Sequence, residues 1–255
     1  MSKEKFILIT NDDGITAKGI ESLVEAAKPF GRIMVVAPDK PQSGMGHAIT
    51  VNNPLRFSKV NYFKDIEAYS TSGTPVDCVK LGIYKLSGQR PDLIVSGVNH
   101  GSNCSTNVLY SGTMSAAVEG AIEGIPSIGF SLLDYSMEAD FSACIQVARK
   151  IIGEALEQEN MKGYCLNVNI PKLPFNEIKG YKVCRQATAS WDDYFEERID
   201  PIGKKYYWLA GEFKSFDGGT DTDIWALENG YVSIVPTQFD MTAHHAISQI
   251  NTWKL

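Results

Sequence analysis

At 255 residues, 44% of them hydrophobic and 21% charged, the chain has the make-up of an ordinary soluble globular protein: one large domain, or a domain with an elaborated second part. A formal net charge of -6 argues against a general nucleic-acid surface, which needs a basic patch, and no run approaches the roughly 18 apolar residues of a membrane span. The start, Met1-Ser2-Lys3-Glu4-Lys5, shows no apolar leader core before the first strand pattern, so a cytoplasmic location is expected.

Phe6-Ile7-Leu8-Ile9-Thr10 is a continuous apolar run, as a strand covered on both faces of a parallel sheet requires. It ends abruptly in Asn11-Asp12-Asp13-Gly14: an amide, two adjacent carboxylates and a glycine. Taken alone, such a stretch is more often a polar turn than a site. Ligands in open α/β sheets, however, bind beyond the carboxyl ends of strands, where this pair would lie. Ile20, Leu23, Val24 and Ala27 then share one apolar helix face. Arg32 to Ala37 is a second strand, opening into a loop from Pro38 to His47 that is long enough to be functional. Ser43-Gly44 in that loop offers either a ligand hydroxyl and a bare N–H or plain turn chemistry. Ile49 to Val60 and Ile66 to Ser70 read as extended, a hairpin at the sheet edge. Thr74-Pro75 supplies an N-cap and first-turn proline for a helix through about Leu86.

Asp92 to Ser96 is a further strand, emptying into Gly97-Val98-Asn99-His100-Gly101-Ser102-Asn103. Met114, Ala117, Val118, Ala121 and Ile122 place a helix start near Thr113, so Ser111-Gly112-Thr113 is either an ordinary N-cap or an anion cradle. Pro126 to Leu132 resumes the strand pattern, and Phe141, Ile145, Ala148, Ile152 and Leu156 mark a long helix. Tyr164 to Ile170 is one more strand. Strands and helices in this alternation predict an α/β fold with a mostly parallel sheet covered on both faces. The character then changes: residues 1–180 read as the core and 181–255 as a C-terminal part. Trp191, Tyr194, Phe195, Tyr206, Tyr207 and Trp208 flank the turn Asp200-Pro201-Ile202-Gly203, predicting a projecting hairpin over about 190–212. Its exposed aromatics would be buried against another subunit or folded back on their own domain. A short helix at Asp223 to Glu228, a last strand at Tyr231 to Val235 and a terminal helix from Thr242 to about Lys254 complete the expectation.

The five cysteines are odd in number, widely spread and form no C-x-x-C pair, which points to buried free thiols. Neither G-x-G-x-x-G nor G-x-x-x-x-G-K-[ST] occurs, which argues against dinucleotide enzymes and P-loop NTPases. What converges instead is oxygen-rich: Asp12, Asp13, the Ser43 hydroxyl and the Asn99 side-chain carbonyl. Hard oxygen donors suit Mg²⁺, Mn²⁺ or Ca²⁺ and disfavour zinc. With a phosphate held at the Ser111-Gly112-Thr113 helix start, this is the equipment of metal-assisted phosphoryl hydrolysis.

These residues resemble the SurE (survival protein E) nucleotidases. The match runs through Asn11-Asp12-Asp13-Gly14, Ala37-Pro38 with Ser43-Gly44, and Ser96-Gly97-Val98-Asn99-His100-Gly101. It continues in Tyr110-Ser111-Gly112-Thr113, Ala116-Ala117 with Glu119-Gly120, Asp200-Pro201, Tyr207-Trp208 and Gly219-Thr220-Asp221. The resemblance implies a Rossmann-like core with a C-terminal hairpin or helix exchanged between subunits of a dimer or tetramer. It also implies one divalent metal ion per subunit, Mg²⁺ or Mn²⁺, held by Asp12, Asp13, Ser43 and Asn99. The implied reaction is hydrolysis of nucleoside monophosphates, a 5′-nucleotidase activity that some members extend to 3′-nucleotides or short polyphosphate. The chain departs from the family's small residue after Ser43-Gly44 by carrying Met45, which bears on the pocket mouth and substrate preference.

In the mechanism expected from these residues, Asp12, Asp13 and Asn99 are catalytic, with Asp12, alone or together with Asp13, both ligand and proton acceptor. Asn11, Gly44, Ser111, Gly112 and Thr113 are expected to bind substrate, and His47 and His100 to pack behind the site. Asp12-Asp13 lacks the D-x-D spacing of a covalent aspartyl-phosphate route. Two alternatives stay open: a nucleotide-binding module without catalysis, and a phosphatase for non-nucleotide phosphomonoesters.

Overall fold

The computed structural model describes residues 4–158 and 161–254. Met1 to Lys3, part of the start read for a leader, and Leu255, the end of the C-terminal part, lie outside the described residues. In chain order the elements are β1 (Phe6–Thr10), α1 (Lys18–Ala27), β2 (Arg32–Pro38), β3 (Phe57–Val60), β4 (Glu67–Thr71), α2 (Pro75–Leu81) and β5 (Leu93–His100). They continue with α3 (Gly112–Ile122), β6 (Ser127–Leu132), α4 (Ser142–Glu157), β7 (Cys165–Ile170), β8 (Tyr181–Val183), β9 (Ala189–Ile199) and β10 (Lys205–Ser215). The last three are α5 (Asp223–Glu228), β11 (Val232–Thr237) and α6 (Ile247–Ile250).

The described residues form a nine-stranded sheet ordered β3-β4-β2-β1-β5-β6-β7-β11-β8, with β9 and β10 in a separate antiparallel pair. From β4 across to β7 neighbouring strands run parallel, as the alternating pattern predicted. The alternation within β1 explains the layers. Ile7 and Ile9 join the cluster containing Ile20 and Leu23 of α1 and Ile152 of α4, whereas Phe6 and Leu8 join Cys78 and Val79 of α2 and Ala116 of α3. All five β1 residues are buried, so a continuous apolar run is what this position demands. The Thr74 hydroxyl and Asp77 carboxylate form a reciprocal capping box at α2, which continues through a wider turn over Gly82–Leu86, matching the expected extent.

Several boundaries differ from expectation. Only Phe57–Val60 of the stretch from Ile49 pairs, antiparallel to β4, because the residues before it find no neighbouring strand. β5 runs past Ser96 to His100, accommodating a register shift between Ser96 and Asn99 against β6. The hairpin strands are longer than 190–212, and β8 was not foreseen. The predicted terminal helix breaks into a 3₁₀ turn at His244–Ala246 and the single turn of α6, since no buried residue gives that segment a face to dock. All five cysteines are free and buried, and burial pushes each thiol pKa up. No described helix is long and apolar enough to cross a membrane.

One contact sets how closely α1 approaches the strand that carries Asn99. A Cβ added at Gly19 would lie 2.0 Å from the Val98 carbonyl oxygen, a backbone atom that cannot swing aside. Gly19→Ala should therefore destabilise the fold by about 1–3 kcal/mol, read as a lower urea midpoint with an unchanged slope.

Candidate active site

The strand order reverses at β1: β2 and β4 follow on one side, β5, β6 and β7 on the other. β1 and β5 are parallel neighbours with Thr10 opposite Ser96, so their carboxyl ends release Asp12-Asp13 and Asn99 side by side at this switch point. The loop after β2 is drawn in from the other side, its Gln42 N–H donating to the Asp12 main-chain oxygen at 2.7 Å. A cleft of about 940 Å³ opens there, lined by Asp12, Asp13, Ser43, Gly44, Asn99 and Ser111. The four expected metal ligands thus share one cavity.

The Asn11 side chain is spent on its own turn. It is fully buried; its amide donates to Gly14 O at 2.9 Å and its Oδ1 accepts from Gly14 N at 3.2 Å. This clasp, with Gly14 at φ +99°, fixes the turn that presents the two carboxylates. Asp12 is 4% exposed and packs against the start of α3. The Thr113 hydroxyl donates to its Oδ1, and a Cβ on Gly112 would come within 2.9 Å of its Oδ2. Thr113 is itself buried, so its hydroxyl serves Asp12 and does not face the cleft. The absence of a side chain at Gly112 is what admits the carboxylate. Burial, then the charge of Asp13, pushes the Asp12 pKa up to about 6, opposed by the Thr113 hydrogen bond.

Asp13 is half-buried, and burial raises its carboxyl pKa against the opposing influence of His100. Its Oδ2 is buried without a hydrogen-bond partner. A buried carboxylate oxygen left unpaired is costly, and a cation is the partner that would satisfy it. Asn99 spends its amide N–H groups on the carbonyls of His100 (3.0 Å) and Gly101 (2.9 Å), which leaves its Oδ1 as the atom available to a ligand. Among the described residues no group of three or more His, Cys, Asp or Glu comes together to hold a metal. The donor set is therefore mixed oxygen, which fits a hard divalent ion better than zinc. Ser43 and Gly44 are exposed in a turn, with Gly44 at φ +73°. His100 packs edge-on against Phe141, with ring centres 5.0 Å apart.

Next to Asp12, Ser111 caps α3 by accepting from Met114 N at 3.0 Å. The Met114 N–H is satisfied by that cap and the Thr113 backbone hydrogen-bonds to the Asp12 carboxylate; a helix start is also a place where an anion can bind. The hairpin contributes to the lining in a way its sequence does not reveal: Trp191 and Leu209 line the same cleft, as does Tyr110. The Trp191 indole N–H donates to Asn107 Oδ1 at 2.8 Å, which sets the ring's orientation. Ser105 underpins this wall: its N–H donates to Asp223 Oδ2 at 2.8 Å, and its hydroxyl accepts from Ala189 N at 3.0 Å.

The profile of the family described as "Survival protein SurE" matches residues 7–193. A Flavobacterium johnsoniae protein called 5′-nucleotidase SurE is 58% identical, covering 100% of this chain and 99% of its own length. A protein of the same name from Cytophaga hutchinsonii is 54% identical over 100% of this chain and 98% of its own. Among solved structures, the SurE protein of Aquifex aeolicus superposes with a TM-score of 0.83 at 41% identity, covering 96% of this chain and 98% of that one.

The raised Asp12 pKa has a thermodynamic consequence with a definite sign. A carboxyl raised from 3.8 unfolded to about 6 folded gives its full contribution to stability below pH 3.8 and loses it as pH climbs through 6. Asp12→Asn, which keeps the shape without the charge, should stabilise the metal-free protein at pH 7.5 by up to about 3 kcal/mol. The gain should vanish near pH 4, as measured by denaturant titration in EDTA at both pH values.

Proposed function

Because the chain belongs to the survival protein SurE family, we propose that it is a 5′-nucleotidase that hydrolyses nucleoside 5′-monophosphates to nucleoside and phosphate with a divalent metal ion, Mg²⁺ or Mn²⁺. Family membership and the names of full-length relatives support the reaction. The observation that carries the metal dependence is the unpaired, buried Asp13 Oδ2 beside the buried Asp12, in a cleft that also receives Ser43 and Asn99. A divalent ion bound by these four residues supplies Lewis-acid polarisation of a phosphoryl oxygen and a more acidic water.

The chain's own groups have separable tasks in this reading. The N–H groups at the start of α3 bind the phosphate and stabilise charge growing on its oxygens. Asp12, raised towards neutrality by burial, accepts the proton of the attacking water. Asn11, Gly112 and Thr113 act through Asp12: the first shapes its turn, the second makes room for it, the third orients it. The Trp191 and Tyr110 rings, which line the same cleft, hold the nucleoside by its base. 3′-Nucleotides and short polyphosphate present the same phosphoryl group and are included as further substrates. The hairpin leaves Tyr194, Phe195, Tyr207, Trp208 and Leu209 between 55% and 68% exposed on a free-standing two-stranded ribbon. A second copy of the chain covering that surface, as a homodimer or homotetramer, accounts for it.

Phosphate release should be measured across nucleoside monophosphates, sugar phosphates and polyphosphate, in EDTA and with Mg²⁺ or Mn²⁺ restored. Nucleotides should be turned over only with metal, and Asp12→Asn should lose about 10²–10⁴-fold in kcat. Turnover undiminished by EDTA, or a preference for sugar phosphates, would overturn the corresponding part. Trp191→Ala provides a second check, with an expected rise in KM for nucleotides of about tenfold and little change for a phosphomonoester that lacks a base. An equal loss on both substrates would remove Trp191 from base recognition.

A further inference from the structure

Glu119, on the third turn of α3, is a buried carboxylate with no part in the reaction as derived. Its side chain is 4% exposed, yet it has two partners from separate elements, the Lys80 ammonium and the His47 imidazole. His47 Nε2, in the loop between β2 and β3, lies 2.9 Å from Glu119 Oε2, and the Lys80 ammonium at the end of α2 donates to Oε1. Burial alone would raise this carboxyl's pKa; the two partners more than reverse that, and it lies below the ordinary value. Burying an ion costs several kcal/mol unless it is paired; the Lys80 ammonium supplies that pairing, and His47 ties the same carboxylate to the loop.

What Glu119 holds is the loop that carries Ser43. Between Gln42 and Ala48 that loop is exposed or half-exposed and has few ties to the body. At its front, Gln42 N–H donates to the Asp12 main chain; at its rear, Gly46 N–H donates to Tyr110 O at 3.2 Å, and the Thr74 hydroxyl donates to Ala48 O at 2.7 Å. His47–Glu119 is the tie in this span made between two side chains, and it joins the loop to the helix whose first turn packs on Asp12. Two glycines with positive φ, Gly44 (+73°) and Gly46 (+53°), give the intervening turn little stiffness of its own.

We propose that Glu119 is a positioning residue for the cleft: acting through His47, it fixes the Ser43–Gly44 turn against Asp12 and Asp13, while Lys80 holds its carboxylate in place. The consequence for metal and phosphate rests on the nucleotidase reading above; the clamp itself does not. Loss of the clamp frees the turn and leaves α3 and the Asp12 contacts intact. Ser43 then reaches the site only part of the time.

The test uses the full chain with three single substitutions, His47→Ala, Glu119→Gln and Ser43→Ala, and the His47→Ala/Ser43→Ala double. His47→Ala leaves the core untouched and serves if Glu119→Gln folds poorly. Hydrogen exchange without added metal should show the amides of residues 43–47 exchanging about tenfold faster in the first two, with α3 unchanged. The Mn²⁺ dissociation constant should rise about tenfold in each, with KM for nucleoside monophosphate rising more than kcat falls. Because the clamp acts through Ser43, His47→Ala should add little once Ser43 is already alanine. Parental exchange rates in both clamp variants would sink the proposal, as would full additivity with Ser43→Ala. Should Ser43→Ala alone bind Mn²⁺ like the parent, the ligand role of Ser43 falls, and with it the functional half of the proposal. The exchange comparison would still decide the clamp.

Discussion

A carboxylate kept ionisable inside the protein is the constraint to which the cleft answers. Asp12 sits where β1 ends, and burial there lifts its pKa to about 6, a cost of about 3 kcal/mol whenever it is charged and uncompensated. The surroundings reduce that cost without removing it. Thr113 offers one hydroxyl, Gly112 withdraws its side chain, and Gln42 fastens the neighbouring loop to the Asp12 main chain. The residual imbalance, with Asp13 Oδ2 left unpaired beside it, is an energetic demand for a cation. Stability given up at a site is commonly what function recovers on binding.

The C-terminal part serves the same cleft by a longer route. β11 runs antiparallel to β7 and parallel to β8, extending the main sheet past the last strand of the alternating pattern. This places α5 so that Asp223, fully buried, accepts from Ser105 N, Ala187 N and Ile224 N. One carboxylate thereby joins the loop after β5, the segment leading into β9 and the first turn of α5. The hairpin wall stands where it does because its root is held by this hub.

Much of this could be read from the sequence wherever the signal was local. The all-apolar β1, the helix stripe beginning at Ile20 and the acid pair after Thr10 declare themselves within a few residues, because burial and turn chemistry act over that range. Ser43 was legible as a polar residue in the loop after a strand, and Asn99 as one following an apolar strand core, although β5 itself reaches His100. The tasks of Asn11 and Thr113 were not: both carry the right chemistry for a phosphate, and only the folded chain shows that they spend it on Gly14 and Asp12. Trp191 was visible as a hairpin aromatic, but its place in the cleft depends on Asn107, 84 residues earlier. Three-residue β8 has no periodicity to detect, and the C-terminal segment has helix-compatible residues but nothing to pack against.

The cleft has walls of unequal origin. Its acidic end is made by strand termini and a helix start rooted in a close-packed sheet, while the end with Trp191 and Leu209 belongs to a ribbon outside that sheet. On the nucleotidase reading, substitutions on the ribbon would alter which molecule is held without disturbing the atoms that react with it. Such a division would let the choice of ligand be changed at the ribbon while the sheet-rooted end keeps its geometry.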